Sequence, residues 1–518
     1  MEDEPVISEA ARLPWGQGRF AAIALPCAVL FAACALRLAE YVQNKAIWLD
    51  EAYLALNILS RSYAGLLERL DYGQGAPIAF LMLERAAVDC LGPSEYALRA
   101  VPLAAGLVAP FQLYMLLRRW TGWGGAVFAL AIFAVSATGI RYASEVKQYS
   151  TDVLVTLVLL AALTPLAKGN VTPMRGALAA AVGGIAVWCV FPAVFVLAGA
   201  ATALHIDAAH QRRYRDSAGL ALISLVWAAS FAAYFLFSLR AIVANAEVRS
   251  WWLDSFMPFP PRSLIDVNWF VRTFFDFFAD PIGMTAGGVG AVLFLLGVTP
   301  FLRRAPVLGA MLLTPIAFAL LASGLQRYPF SGRFLLFAVP LLLPFVAEGF
   351  EHLRAHARSP MIAGCIAIVA LTQPSISAIR SMVRPEASEG IRPTYEFLKD
   401  RVQATDTVYV YHWAVFPIQY YEKKDGALPG ATVLGVPSRA DWSNYVRDIE
   451  ALRGQPRVWF VFETSNKHLS GQDRQFFVTF LDTAGKRLDA FESSQSSAYL
   501  YDLSQAPSQA GDKKGQPE

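Results

Sequence analysis

The chain is 518 residues long, 55% apolar and 16% charged, with a mean hydropathy of +0.41. Soluble domains carry about 25% charged residues, so this composition excludes an ordinary soluble enzyme and indicates a polytopic membrane protein. A net charge of +3 is too small for a nucleic-acid-binding surface, and no nucleic-acid partner is expected.

The N-terminus is acidic (Glu2, Asp3, Glu4) and shows no cleavable signal; the first apolar run is long enough to act as an uncleaved anchor. A span needs about 20 apolar residues, with a range of roughly 17–25. In chain order, the runs near 20–40, 97–117, 123–140, 152–167, 176–191, 192–209, 217–240, 284–302, 306–323, 334–350 and 360–379 qualify, which predicts eleven spans. The run 78–91 is apolar but short, and it contains Glu84, Arg85 and Asp89, so it is assigned to the interface plane. The five cysteines all fall in apolar segments without a CxxC pair and read as small core residues.

Basic residues fix the sidedness. With the N-terminus inside, the inside segments hold Arg12 and Arg19, Arg118 and Arg119, Lys168 and Arg175, Arg212, Arg213 and Arg215, Arg303 and Arg304, and Arg354 and Arg358. Every one is basic, as the positive-inside rule requires. The long loops 43–96, 141–151, 244–283 and 324–333, and everything after 380, then share the outer face. From about 386 the long apolar runs give way to strand-like runs at 407–411, 431–435 and 457–463, alternating with helical patterns at 391–403, 413–424, 439–453 and 471–484. Residues 490–492 and 498–502 close the expected sheet.

The fold expected is an all-α polytopic membrane domain of about eleven transmembrane helices, with interfacial helices in the first outer loop, plus a small C-terminal α/β extracytoplasmic domain. Residues 1–19 form a cytoplasmic segment, 20–383 the membrane domain, 384–503 the α/β domain and 504–518 a disordered tail. The protein is expected in the cytoplasmic membrane, its outer domain periplasmic if the source is Gram-negative. No convincing internal repeat is present, against the pattern of many transporters.

Four constellations carry candidate chemistry. The pair Asp50-Glu51 stands early in the first outer loop, just past span one; Asp50 can take a proton from, or orient, an acceptor hydroxyl, Glu51 can do the same or hold a divalent cation, and the pair can otherwise simply complement the N-terminal dipole of a helix over 52–70. Residues 141–152 pack Arg141, Tyr142, Glu145, Lys147, Tyr149 and Asp152 ahead of a span. If this stretch is helical, Glu145 and Tyr149 share a face, as do Gln148 and Asp152. The cations suit a phosphate and the acids a metal or a sugar hydroxyl; an interfacial anchor is the structural alternative. Residues 326–333 hold Arg327, Tyr328 and Arg333 on the face where arginines are disfavoured, which suits guanidinium recognition of phosphate or of a lipid headgroup. The stretch Asp71-Tyr72-Gly73-Gln74-Gly75-Ala76-Pro77 makes a tight entry to the interfacial helix, and the loop from Trp251-Trp252 through Phe278 reads as a lid over acceptor or lipid, or as an interfacial aromatic belt.

Taken together, these features resemble the GT-C superfamily of polytopic glycosyltransferases, in the bacterial branch related to protein mannosyltransferases and the lipid A aminoarabinose transferase. The resemblance covers about residues 20–350 and rests on Leu49-Asp50-Glu51, Gly75-Ala76-Pro77, Ser94-Glu95 with Leu98-Arg99, Arg141 to Asp152, and Arg327-Tyr328-Pro329 with Arg333. It implies an inverting transfer from a polyprenyl-phosphate-linked sugar donor to a hydroxyl acceptor on lipid, polysaccharide or protein. In that scheme Asp50, with Glu51, supplies the base, while Lys147, Arg327, Arg333, Arg141 and Tyr328 bind the donor phosphate. Glu145, Tyr149 and Asp152 form the acidic, sugar-binding side of the second loop. Loop two offers Glu145 and Lys147 where relatives often carry a differently spaced Arg/Asp pattern, so no metal ion is assigned and the cofactor is unknown. The alternatives are a flippase or transporter of lipid-linked sugars, and a non-catalytic sensor or assembly subunit; spans nearly free of ionisable residues speak against transport.

Overall fold

The computed structural model describes residues 17–169, 171–243, 249–357, 359–383, 390–437, 441–463 and 470–504. The expected cytoplasmic start up to residue 16, the link at Arg384-Pro385 and the tail from 505 lie outside these residues. The chain divides into two compact units: Met1–Val42, Arg61–Gly92 and Tyr96–Arg384 form one, and Gln43–Ser60, Pro93–Glu95 and Pro385–Glu518 the other.

The first unit is helical. Among the described residues, nine helices are long and apolar enough to cross a membrane, including Ala22–Val42, Ala100–Trp120, Tyr149–Lys168, Gly287–Arg304 and Gly332–His356. A tenth candidate, Trp123–Val135 with Ala137–Ser144, is bent by 60°. The expected span over 176–191 is the helix Pro173–Cys189, apolar but only 17 residues long. All eleven expected runs are therefore helical, while nine or ten of them meet the length of a full crossing.

Ser136 marks the bend in the tenth candidate. Its hydroxyl accepts from Gly139 N and donates to the Pro281 carbonyl at 3.1 Å. Arg37, 1% exposed inside the first span, donates to the carbonyls of Phe133 at 3.2 Å and Ala134 at 3.4 Å. These are the last carbonyls of the broken helix, which lack intrahelical partners and carry the negative end of its dipole. The buried charge is thus a helix cap.

Val339–Phe350 is buried at twelve successive positions, the mark of a helix surrounded by others. It packs on Gly287–Arg304 through small residues: a Cβ on Gly349 would lie 1.8 Å from the Leu293 carbonyl oxygen, and one on Gly297 would lie 1.9 Å from that of Phe345. Glycines let these two backbones touch. Arg304 grips Glu348 with both terminal nitrogens at 2.8 Å at the far end of the pair.

The interfacial segment is the helix Ile78–Leu91, where Glu84 is fully buried and Arg85 pairs with Asp89 at 3.0 Å. A second surface helix, Leu264–Ala279, begins with a Ser263–Asp266 capping box and leaves the stripe Leu264, Val267, Val271 and Phe275 exposed. None of the five cysteines is buried, contrary to their reading as core: Cys27, Cys90 and Cys365 are exposed and Cys34 and Cys189 half-buried. A membrane protein presents apolar residues outward as well, so an apolar run does not locate a core.

The second unit is built on a sheet ordered β2-β1-β3-β5-β4, with β1 (Thr407–Val410), β2 (Ala431–Leu434), β3 (Val458–Glu463), β4 (Lys486–Glu492) and β5 (Ser496–Asp502). β2, β1 and β3 run parallel; β5 pairs antiparallel with β3 and β4. Crossover helices Val415–Asp425 and Ser443–Glu450 join the parallel strands. The helix Leu49–Ser60, read from the sequence as part of the membrane domain and as running to residue 70, belongs to this unit and ends at Ser60. It packs its Tyr53 ring on Phe416 at 4.6 Å between centroids.

Candidate active site

In the first unit, the cluster grows from the turn ahead of Tyr149. The chain leaves Ala137–Arg141 through a single 3₁₀ turn, becomes extended at Glu145, and starts the next helix at Tyr149. Glu145 therefore does not share a helical face with Tyr149 as expected, because the helix begins after it. Gln148 and Asp152 keep their i, i+4 relation, with Asp152 N donating to the Gln148 carbonyl at 2.9 Å. Glu145, 6% exposed, accepts from Arg141 Nε at 2.5 Å. Buried Lys147 donates to Gln74 Oε1 at 3.1 Å. Gln74 is held there by the turn at Gly73, whose φ of +64° is open to glycine, and by Gly75, where a Cβ would meet Ile242 at 2.9 Å.

Arg333 sits at the centre of an aromatic cage. Its guanidinium carbon lies 5.5 Å from the ring centre of Tyr149, 5.2 Å from Trp252 and 5.7 Å from Phe334. Tyr142 meets Tyr149 edge-on at 4.9 Å, and Arg141 lies over the Tyr142 ring at 5.7 Å. Rings orient a guanidinium by cation–π attraction. Cations outnumber carboxylates here, with Arg141, Lys147 and Arg333 against Glu145, so the arrangement favours an anion.

The remaining first-unit candidates are differently placed. Arg327 is exposed and donates to the Val243 carbonyl at 3.3 Å. Tyr328 commits its hydroxyl to the Phe334 carbonyl at 2.7 Å and packs edge-on against Phe195. Burial, with the nearby Asp152 and Tyr149, pushes that hydroxyl's pKa well up, so it stays protonated. Asp152 is 3% exposed within its span, and its Oδ1 has no hydrogen-bond partner. Thr156, one turn on and fully buried, likewise leaves its hydroxyl without one.

In the second unit, Asp50 and Glu51 occupy the first turn of Leu49–Ser60, where the helix dipole favours acids. Glu51 is 1% exposed and packed into the unit; Asp50 stays half-buried. Burial first, then the Asp50 carboxylate, pushes the Tyr53 hydroxyl up to about 12. Upstream, Lys45 and Ile47 are bonded to Arg392 and Tyr421 of the sheet-bearing segment.

No protein-family model and no curated relative matches the sequence. Among solved structures, ArnT from Cupriavidus metallidurans bound to undecaprenyl phosphate aligns over 94% of this chain and 98% of its own, with TM-score 0.55 and 12% identity. Its apo state gives 0.54 and 14% over 93% and 99%. The archaeal oligosaccharyltransferase AglB from Archaeoglobus fulgidus, in complex with an inhibitory peptide and a dolichol-phosphate, gives 0.52 and 13% over 96% of this chain and 75% of its own. The chain has the GT-C fold.

Two side chains escaped the sequence reading. Gln74 stood in a stretch that carried only a structural role, and its Gly-Gln-Gly setting was the available signal. Trp252, expected in a belt or lid, walls the Arg333 cage. Among the described residues, no group of three or more His, Cys, Asp or Glu side chains is placed to hold a metal ion. Glu145 is ion-paired with Arg141 instead.

Proposed function

We propose that this protein is an inverting glycosyltransferase that moves a sugar from a polyprenyl-phosphate-linked donor to a hydroxyl acceptor at the outer face of the cytoplasmic membrane. The observation that carries the reading is the Arg333 cage joined to the basic turn at Arg141–Lys147. Such a site is preorganised for an anion at a membrane protein's surface, and the GT-C fold supplies its context. Solved relatives of that fold hold undecaprenyl phosphate in one case and dolichol-phosphate in another.

In the reaction, the acceptor oxygen attacks the anomeric carbon from the face opposite the phosphate. Asp50 takes the hydroxyl proton as the new C–O bond forms. The bond from the anomeric carbon to the phosphate oxygen breaks, and the electron pair leaves with the polyprenyl phosphate. Arg333 and Lys147 stabilise that charge, with Arg141 holding Glu145 and adding positive potential and Arg327 meeting the phosphate from the exposed loop. Donors aimed at charge that develops in the transition state contribute about 2.7–4 kcal/mol each. Glu51, being buried, supports the helix that presents Asp50.

The test is transfer by purified protein in nanodiscs, using radiolabelled polyprenyl-phosphate sugars and membrane extract as acceptor, for wild type and Asp50→Asn. Loss of transfer in a folded Asp50→Asn protein is expected. Equal transfer by both removes Asp50 from the chemistry, and donor binding without turnover in the wild type returns the flippase reading.

A further inference from the structure

We infer that Glu95 is a positioning residue: with Arg392, Tyr421 and Lys424 it pins the extended segment leading into the Asp50 helix onto the α/β fold of its unit. The inference rests on the proposed role of Asp50, and it gives the C-terminal segment a place in the reaction.

Glu95 is 2% exposed and fully engaged. Its Oε1 accepts from Arg392 Nη2 at 2.8 Å and from the Tyr421 hydroxyl at 3.1 Å, and its Oε2 accepts from Lys424 Nζ at 2.9 Å. The same groups hold the segment just before Asp50. Arg392 Nη2 also donates to the Lys45 carbonyl at 3.2 Å. The Tyr421 hydroxyl accepts from Ile47 N at 3.1 Å and from Arg392 Nε at 3.3 Å while donating to Glu95. A tyrosine hydroxyl has one hydrogen and two lone pairs, so this one is saturated. Gly390, at φ +121°, brings its backbone against the same segment, where a Cβ would lie 2.9 Å from the Ala46 Cβ.

Geometry separates positioning from bulk stability. The bonds end on residues 45 and 47, three to five positions ahead of Asp50, and fix where the helix begins and how it is rotated. Glu95 itself has no face left for substrate. Its removal leaves Arg392 and Lys424 facing each other without the charge that joins them, which releases the segment at its root. A displacement of about 1 Å at a reacting group costs up to about a hundredfold in rate.

The experiment uses the full chain in nanodiscs with Glu95→Gln, and Tyr421→Phe as the milder variant in case the first fails to fold. Hydrogen exchange reports on the amides of 45–58, and kcat and donor KM are measured with a radiolabelled polyprenyl-phosphate sugar. We expect faster exchange confined to 45–58, kcat lower by about ten- to a hundredfold and donor KM within twofold. Glu95→Gln combined with Asp50→Asn should lose no more than Asp50→Asn alone. Unchanged exchange at 45–58 overturns the pin outright. Faster exchange with unchanged kcat overturns its positioning role. If Asp50→Asn alone transfers normally, the base assignment fails, and the exchange result still decides whether Glu95 holds the segment.

Discussion

Replacing Arg333 separates its charge from its shape. The guanidinium is held by ring contacts at 5.2–5.7 Å with Trp252, Tyr149 and Phe334, each contributing about 0.5–1 kcal/mol at a half-exposed site. Arg333→Gln keeps length and polarity but deletes the charge that the proposed mechanism sets against the leaving phosphate. Losing one such donor costs about 2.7–4 kcal/mol of transition-state stabilisation, and about 1.36 kcal/mol is a factor of ten. A fall in the chemical rate of about a hundred- to a thousandfold is therefore expected. Arg333→Lys keeps the charge but gives up the planar fork and most of the stacking, so its loss should be intermediate, on the order of tenfold. Trp252→Leu removes one wall only and should cost a few-fold. The assay is single-turnover transfer from a radiolabelled polyprenyl-phosphate sugar, with donor binding measured separately. Equal rates for the Lys and Gln variants would refute the reasoning, since charge would then be irrelevant; so would a Gln variant within tenfold of wild type.

Gly349→Ala should lower the melting temperature in detergent by more than ordinary overpacking, which costs about 1–3 kcal/mol, because its methyl would sit 1.8 Å from the Leu293 carbonyl oxygen; an unchanged melting curve contradicts the packing. Gln74→Leu takes an acceptor from Lys147 and should weaken donor binding several-fold, read as a higher donor KM, while Tyr72→Phe on the same turn leaves it alone. Stability should fall in acid through Glu95. Burial raises its carboxyl, but the Lys424 hydrogen bond and the Arg392 charge outweigh that and hold it below the ordinary 4.5. A depressed carboxylate stabilises the fold above the ordinary value and loses that contribution as pH drops through the lowered one. Melting temperature should therefore decline below about pH 5 in wild type and decline less in Glu95→Gln; parallel pH profiles refute the assignment.

Much of the fold is written in local pattern. Spans are legible because about 20 apolar residues suffice to cross a bilayer, and the sheet is legible because short β-branched and aromatic runs alternate with amphipathic helices. The bend at Ser136 is not, since no proline marks it: Arg37, 96 and 97 positions away, binds the carbonyls that end the first half, and the Pro281 carbonyl receives the Ser136 hydroxyl. The same holds for the site. Arg333 stood out by its sequence position, but the rings of Trp252 and Tyr149 that orient it come from two other segments, and Gln74 reaches Lys147 across 73 positions. Long-range partners of this kind leave no periodic trace.

The acidic pair shows how a sequence ambiguity can be false. Asp50-Glu51 invited either a catalytic or a helix-start reading, as if one excluded the other. Both residues lie in the first turn of a helix, where the dipole favours acids by about 0.3–1 kcal/mol each. Yet Glu51 is 1% exposed, whereas Asp50 is half-buried. On the proposed mechanism, helix start and chemistry are two uses of one turn. On the same proposal the Glu95 cluster fixes the segment entering this turn and so presents Asp50 from a held base. A base on a well-held helix start reaches its proton with less reorganisation than one on a loose loop, which gives a physical reason for this pair to stand where the first span ends.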